Sequence, residues 1–423
     1  MKRIIFCLVL LAATLLRANA QALSGDWSGR LNAGGTMLTL VFHLTHDGTS
    51  TTATFDSPDQ GARGIAATVS HESSDSLNVS VPAIGARFAG HAENDTIVGI
   101  FSQNGFHLPL TLTRGYNAPR RPQTPQPPFP YTTREVSFSN AHDGVRLSGT
   151  LTLPECADNK SVPCVVMVSG SGLQNRDEEI FDHKPFLVLA DYLARHGIAS
   201  LRYDDRGCGA SEGEPAYATT ADFARDAAAA VDFLRKEATA GAAQLSTVNC
   251  QLSTEKIGIL GHSEGGNIAL ILAAQGRVDF AVSLAAVGVR GDTALAAQAN
   301  ALRTVRALPP MSVDDYRKTA EAQGVAWLNY FLDYDPAPDV RAARCPVFAL
   351  NGANDWQVLS ALNLSAIRRN LPANPQNKVS EYPALNHLFQ HSLTGLPDEY
   401  GKIEETLAPE VMADIAEWIN GLQ

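Results

Sequence analysis

Between Ser24 and Arg114, apolar and polar residues alternate in short runs such as "TLVFHLT", "LNVSV", "TIVGIFS" and "LPLTLTR". The turn signals "HDG", "SSDS", "END" and "QNG" divide them. About eight strands at roughly ten-residue spacing predict a small all-β barrel or sandwich over residues 21–115. The segment "APRRPQTPQPPFP" then carries six prolines, which predicts an extended, semi-rigid linker over residues 116–132. A domain boundary belongs there, so a chain starting near Tyr131 is expected to keep the activity of the part that follows.

From Thr133 the period changes. "REVSFS" and "RLSGTLTLP" read as a strand pair, and "CVVMVSG", "IASLRYD", "KIGILG", "DFAVSLAA", "CPVFALNG" and "KVSEYP" as further strands. Amphipathic helical patterns separate them: "KPFLVLADYLARHG", "TTADFARDAAAAVDFLRKEA", a stretch around Leu359 to Asn370, and "PEVMADIAEWINGL". Alternating strands and helices predict an α/β domain over residues 133–423, with a parallel sheet covered on both faces. Residues 290–343 break the alternation and are expected to cap a pocket. Residues 238–254, "ATAGAAQLSTVNCQLST", read as a loose surface loop.

The first 20 residues, "MKRIIFCLVLLAATLLRANA", place Lys2 and Arg3 before an apolar run that ends in Ala18-Asn19-Ala20. That is the pattern of a cleaved signal peptide, and the apolar run is short for a bilayer span of about 20 residues. The mature chain is expected to begin at Gln21, in the periplasm or outside the cell, with no stable membrane insertion. The formal charge of the 423-residue chain is −11. Losing the leader removes Lys2, Arg3 and Arg17 and no acid, which argues against nucleic acid as a partner. Export permits disulfides, and Cys156 and Cys164 flank a loop they could close. No C-x-x-C pair occurs, and "HLFQH" lacks the glutamate of H-E-x-x-H, so no metal is expected. Oligomeric state is left open.

The chemistry concentrates in "KIGILGHSEGGNIAL". Gly261 and Gly265 bracket Ser263 as G-x-S-x-G between an apolar strand and a helix, the spacing of a nucleophile elbow. A serine nucleophile needs a base and a group to orient it. Asp355 follows the strand "CPVFALNG", and His387 follows "KVSEYP". The order Ser263, Asp355, His387 is that of α/β-hydrolases. His391 is the runner-up base, and Asp333, Asp335 and Asp339 are weaker acids. The backbone N–H groups of Ser171, in the loop "SGSGLQNRDE", and of Glu264 are the candidate oxyanion hole. Arg176 is expected to brace that loop, and Asp204 or Asp205 to hold Arg206. Trp356, Leu388, Phe389 and the segment from Trp327 to Tyr334 are the expected pocket lining.

"VSGSGLQNRDE", "LRYDDRGCGASEG", "GHSEGG", "NGANDWQV" and "NHLF" together resemble secreted bacterial α/β-hydrolase carboxylesterases related to serine aminopeptidases. The likeness covers about residues 134–423. "GDWSGRL" and "DSPDQGARGI" resemble the β-rich domain that precedes some members. The resemblance implies a cofactor-free serine hydrolase acting on small-molecule esters of short acyl chains. Ser169 stands where many α/β-hydrolases carry the histidine of an "HG" pair. The alternatives are a serine aminopeptidase using the same triad, a thioesterase, and a non-catalytic envelope- or carbohydrate-binding protein that kept the fold.

Overall fold

The computed structural model describes residues 23–34, 36–46, 50–60, 62–70, 75–93, 95–155, 160–240 and 250–423. The leader and Cys156 lie outside them. The chain divides into two compact units, residues 1–120 and 121–423.

The alternation of the first unit resolves as a barrel rather than a sandwich. Eight strands follow one another around it: β1 (Gly25–Ala33), β2 (Thr36–His46), β3 (Thr51–Ser57), β4 (Ala62–Ser70), β5 (Ser76–Val81), β6 (Ala86–Glu93), β7 (Thr96–Gln103) and β8 (Phe106–Arg114). Neighbours are antiparallel, and β8 closes onto β1 at Ser28 and Thr113. Period-two alternation sends one side of each strand inward, so Trp27, Phe42, Leu77, Phe88, Ile97 and Leu112 are completely buried.

The second unit holds an eight-stranded sheet in the order β16-β15-β14-β13-β11-β12-β10-β9. In sequence these are β9 (Tyr131–Asn140), β10 (Val145–Pro154), β11 (Lys160–Val168), β12 (Ala199–Tyr203), β13 (Cys250–His262), β14 (Ala281–Leu284), β15 (Val347–Gly352) and β16 (Lys378–Tyr382). β9, β10 and β12 pair antiparallel, and β11 to β16 run parallel. The helices are α1 (Pro185–Arg195), α2 (Thr220–Ala240), α3 (Glu264–Ala274), α4 (Gly291–Val305), α5 (Val313–Glu321), α6 (Ala326–Asp333), α7 (Ala337–Arg341), α8 (Ser360–Asn370), α9 (Pro397–Tyr400) and α10 (Pro409–Gly421). Apolar residues of α2, α3 and α8 pack on one face of the sheet, and those of α1 and α10 on the other. This is the α/β-hydrolase fold. The central strands β14 and β15 are buried along their whole length, and the apolar runs Val165 to Val168 and Ile257 to Leu260 of β11 and β13 lie beside them, as a covered parallel sheet requires. Among the described residues, no helix is long and apolar enough to cross a membrane.

Two expectations need correction. Strand β13 begins at Cys250, inside the stretch read as a loop, because Cys250 to Leu252 pair with Lys160 to Val162 before a register shift. Only Leu252 is apolar there, so the pattern was too weak to mark a strand. The proline segment is not a free spacer at Arg121 and Gln123. The Arg121 guanidinium donates to the carbonyls of Ile403, Phe181 and Gly401 at 3.0, 2.7 and 2.8 Å. The Gln123 side chain donates to Leu407 O at 2.7 Å and accepts from Leu407 N at 3.0 Å. Cys164 is a free, fully buried thiol in β11, and burial pushes its pKa up.

These bonds change what a truncation should do. A chain beginning at Ala118 should outlast one beginning at Tyr131 in thermal unfolding, by about 2–3 kcal/mol for the lost charge-assisted bonds. Equal midpoints would mean that residues 121–130 contribute nothing to the second unit.

Candidate active site

Strand β13 ends at His262 and α3 begins at Glu264, which leaves one residue for the turn. Ser263 makes it with φ 55° and ψ −117°, a conformation that costs a non-glycine residue of order 1–3 kcal/mol. The surrounding backbone imposes it. Ser263 N donates to Leu284 O at 2.8 Å, and Gly266 N donates to Ser263 O at 3.0 Å. A Cβ on Gly261 would lie 1.9 Å from Gly265 O, and one on Gly265 would lie 2.1 Å from Val168 O. Both glycines are therefore needed for close backbone approach. The Ser263 hydroxyl stands at the positive end of α3.

Asp355 and His387 leave the ends of β15 and β16, and the fold brings them together. His387 Nδ1 lies 2.8 Å from Asp355 Oδ2, with both side chains buried. Asp355 Oδ1 accepts Gln357 N and Val358 N, both at 2.8 Å, which fixes the carboxylate plane. The His387 loop is tied by Asn386, whose Oδ1 accepts Leu388 N and Gln390 N, both at 3.0 Å. His391 is elsewhere, paired with Glu405 and Glu410 at 2.9 and 3.1 Å. The other acids are engaged apart from His387. Asp333 takes Arg290 and Arg317, Asp335 accepts Ala337 N, and Asp339 accepts the Tyr334 hydroxyl.

Ser263, Ser171 and Glu264 line one cavity of about 200 Å³. The loop that carries Ser171 lies directly on the elbow, since a Cβ on Gly170 would fall 3.2 Å from Ser263 Cβ. Helices α4 and α6 of the inserted segment supply Ala294, Leu295, Trp327 and Phe331 to the wall. The expected lining by Trp356, Leu388 and Phe389 does not hold. Trp356 is turned to Thr394 O at 2.7 Å, and Leu388 and Phe389 line a separate small cavity behind His262. Gln357 and Val358 take their place. Glu264 contributes a buried carboxyl whose Oε1 accepts from Thr220 Oγ1 at 2.6 Å and from Trp327 Nε1 at 2.7 Å. Burial raises its pKa. The Trp327 bond fastens the inserted helices to the elbow.

Arg176 braces the oxyanion loop as expected, with its Nη2 2.7 Å from Asp204 Oδ2. Asp204 is thereby used, and Arg206 is held instead by Asp226 and Asp143 at 2.7 and 2.8 Å. Asp205 accepts Gln174 N at 3.0 Å, and burial pushes its pKa well up. The sequence reading missed the pair Glu178 and His262. Glu178 Oε1 accepts Gly170 N at 2.8 Å and faces His262 Nδ1 at 2.9 Å. His262 Nε2 faces His387 O at 2.8 Å. Both ring nitrogens thus meet oxygens that only accept, so both bonds together need the doubly protonated imidazolium. Burial opposes that charge, but the Glu178 carboxylate and its hydrogen bond outweigh burial and raise the His262 pKa. One buried pair therefore ties the oxyanion loop, the elbow and the backbone of His387 together. A glutamate three residues after Asn175 gave no pattern signal. The histidine beside Ser263 was visible only as the second letter of "GHS".

Removing one partner of such a pair strands a buried charge, so Glu178→Ala should cost about 3–5 kcal/mol of stability. The folded pKa of His262 lies above its ordinary value of about 6.5, so the pair's contribution is complete below that value and is lost as pH rises through the folded pKa. Between about pH 6 and 9, the wild-type thermal midpoint should fall further than that of Glu178→Gln. Parallel declines would mean that the ring stays neutral throughout.

Sequence comparison places most of the second unit in a known family. Residues 143–389 match the X-Pro dipeptidyl-peptidase (S15) family. Esterase EstD of Thermotoga maritima is 25% identical over 287 residues, 64% of this chain and 65% of its own length; the match thus spans just under two thirds of that relative. Among solved structures, an esterase of Pyrococcus furiosus aligns with a TM-score of 0.46 at 18% identity, covering 72% of this chain and 98% of that one. A hypothetical protein of Pseudomonas aeruginosa aligns with a TM-score of 0.47 at 18% identity, covering 70% and 95%. The family pattern runs from the β9–β10 turn through the loop that carries His387, more than half of the sequence, and the chain belongs to the X-Pro dipeptidyl-peptidase (S15) family.

Proposed function

We propose that this chain is a serine hydrolase that cleaves carboxylic esters of short acyl chains through an acyl-enzyme. The observation that carries the reading is the backbone of Ser263, held at φ 55° between a strand and a helix N-terminus and facing a cavity. In the proposed cycle Ser263 Oγ attacks the ester carbonyl. His387 takes the hydroxyl proton and gives it to the departing alcohol. Asp355, fixed at His387 Nδ1, orients the ring and stabilises its charged form. The amides of Ser171 and Glu264 take up the oxyanion, each worth on the order of 3 kcal/mol. Water, deprotonated by His387, then releases the acid and restores Ser263. Every step is proton or acyl transfer, so the cycle calls on no metal or cofactor. The cavity is small beside the roughly 300–1,000 Å³ of sites for larger ligands, and its wall of Val287, Ala294, Leu295 and Phe331 suits a short neutral acyl group.

Amino-terminal peptide cleavage is the second reading, favoured by the carboxyl of Glu264 beside Ser263. Its Oε1 already accepts Thr220 and Trp327, and burial favours its neutral form, so it suits an ammonium group poorly. Three acids of the inserted helices are taken by arginines: Asp292 by Arg317 at 2.9 Å, Glu321 by Arg317 at 2.8 Å and Asp333 by Arg290 at 2.6 Å. None of the inserted acids lines the cavity at Ser263, where Glu264 is the one carboxyl among the described residues. The leader pattern supports work in the periplasm or outside the cell, and mass spectrometry of the exported protein should then find a mature N-terminus at Gln21.

Ser263→Ala should lower ester turnover at least about a thousandfold while leaving the thermal midpoint close to wild type. Activity within about tenfold of wild type would overturn the assignment of the nucleophile. Aryl acetates to butyrates should be good substrates and longer chains progressively poorer. Free-amine anilides, X-Pro anilides included, should be about a thousandfold less efficient, a gap of roughly 4 kcal/mol in transition-state stabilisation. Comparable efficiency on an anilide would favour the peptidase. Trp327→Phe keeps the ring and loses its bond to Glu264, so kcat/KM should fall about fivefold for about 1 kcal/mol. An unchanged value would show that the inserted helices need no such fastening.

A further inference from the structure

The β-barrel is packed at one end and hollow at the other. At the packed end Trp27 fills the interior, with its Nε1 donating to Leu23 O at 2.8 Å and the Arg114 guanidinium 4.4 Å over its ring. Room is made there for large side chains. A Cβ on Gly90 or Gly99 would fall 2.7 or 2.8 Å from the Phe88 ring, so two strands give up side chains to seat one phenyl group. The rings then follow one another along the interior, Phe88 to Phe42 at 5.5 Å, Phe42 to Phe55 at 5.2 Å, and Phe55 to Phe101 at 6.2 Å. Beyond Phe55 and Phe101 the filling stops, and a cavity of about 750 Å³ begins.

That cavity is a feature of the barrel's design at one end. Its lining draws on all four connections there: Gly34 after β1, Gln60 after β3, Ile84 after β5, and Asn104 after β7. The register of β3 on β4 shifts between Phe55 and Ser57 beside it, the kind of bulge that re-aims side chains at barrel rims. An interior of eight strands is just wide enough to be filled by its own side chains or to hold one small ligand; here the two halves take the two options. Leu31, Leu40, Phe55 and Phe101 make an apolar floor, and Leu38, Ile65 and Leu108 continue it upward. Phe106 stands at the lip, 70% exposed on the tip of the β7–β8 hairpin. Its ring extends the apolar lining of the cavity out to the mouth.

The polar groups of the lining are all uncharged: Ser57, Gln60, Gln103 and Asn104. Ser57 Oγ donates to Gln60 Oε1 at 2.7 Å, and Gln103 Nε2 donates to Ile84 O at 2.9 Å. The nearby acids are spent outside the cavity, Asp59 on Thr39 N at 2.6 Å and Asp56 on Gly64 N at 2.7 Å and on His43. Among the described residues, no charged side chain lines the cavity. A carboxylate or ammonium head group would lose its hydration there without gaining a counter-charge. An alkyl chain ending in a hydroxyl, ester or amide would bury its chain on the floor and leave its head among the amides of the rim.

We infer that the β-barrel is a binding site for one uncharged aliphatic molecule, a fatty alcohol, ester or amide, separate from the cavity at Ser263. The inference rests on the first unit alone and stands whether or not the chain hydrolyses esters.

The test uses the full mature chain and the neutral fluorophore N-phenyl-1-naphthylamine, with dodecanol, dodecanoate and dodecylammonium as competitors below their aggregation concentrations. Saturable fluorescence enhancement is expected, with dodecanol displacing the probe at about tenfold lower concentration than either ion. Two barrel variants assign the site. Ala62→Phe fills the cavity, and Leu38→Glu places a charge in its wall; each should weaken probe binding about tenfold or more. Both positions are half-buried, and circular dichroism and the thermal midpoint report whether the barrel is intact. Should Leu38→Glu unfold it, Ala62→Phe decides alone. Non-saturable fluorescence, displacement by dodecanoate as effective as by dodecanol, or wild-type binding by an intact Ala62→Phe chain would each overturn the inference.

Discussion

The second unit depends on one close approach of backbone to backbone. Gly261 and Gly265 lie so near each other, and Gly265 so near the end of β11, that a single methyl group on either would overlap a carbonyl. Because there is no room to turn more gently, Ser263 must adopt a positive φ, and its side chain is lifted off the sheet into the cavity. The cost of that conformation is offset by the apolar strands around it, which are completely buried on both sides. Three further segments are held in place around this fixed point, and a different polar device does so for each. Arg176 and Asp204 hold the oxyanion loop, Asn386 holds the turn of His387, and the Glu264–Trp327 bond holds the inserted helices.

The Glu178–His262 pair links these devices. A buried ion pair is weak evidence for stability, since its desolvation can exceed its attraction. Its use here is geometric. Its three bonds reach Gly170 N, the residue before Ser263, and His387 O, so the segments that carry Ser171, Ser263 and His387 share one rigid support. Sites of this kind need their reacting groups fixed within about half an ångström, which loops on their own do not provide.

Much of this was legible in the sequence because it rests on local rules. The elbow glycines, the apolar strands and the chain order of Ser263, Asp355 and His387 are all consequences of spacing and period. The bond between Asp355 and His387 follows from where two parallel strands end. What could not be read depends on long-range pairing. Strand β13 extends back to Cys250 only because Lys160 to Val162 lie beside it. Arg121 is a surface arginine in a proline run until three carbonyls of later loops converge on it. Glu178 and His262 are 84 residues apart. The expected lining by Leu388 and Phe389 failed because the positive φ of Phe389 turns that stretch back behind His262. In the barrel, alternation marked the strands but not the closure, since a sandwich and a barrel share the same period.

The central claim is that the backbone at Ser263 makes that hydroxyl a nucleophile. The most direct measurement is covalent: the mature protein is treated with a fluorophosphonate, digested, and mapped by mass spectrometry. The account predicts a single adduct on the peptide carrying Ser263, formed with loss of ester turnover in equal measure and abolished when His387 is replaced by alanine. An adduct on another residue, or undiminished turnover in protein fully labelled at Ser263, would contradict it.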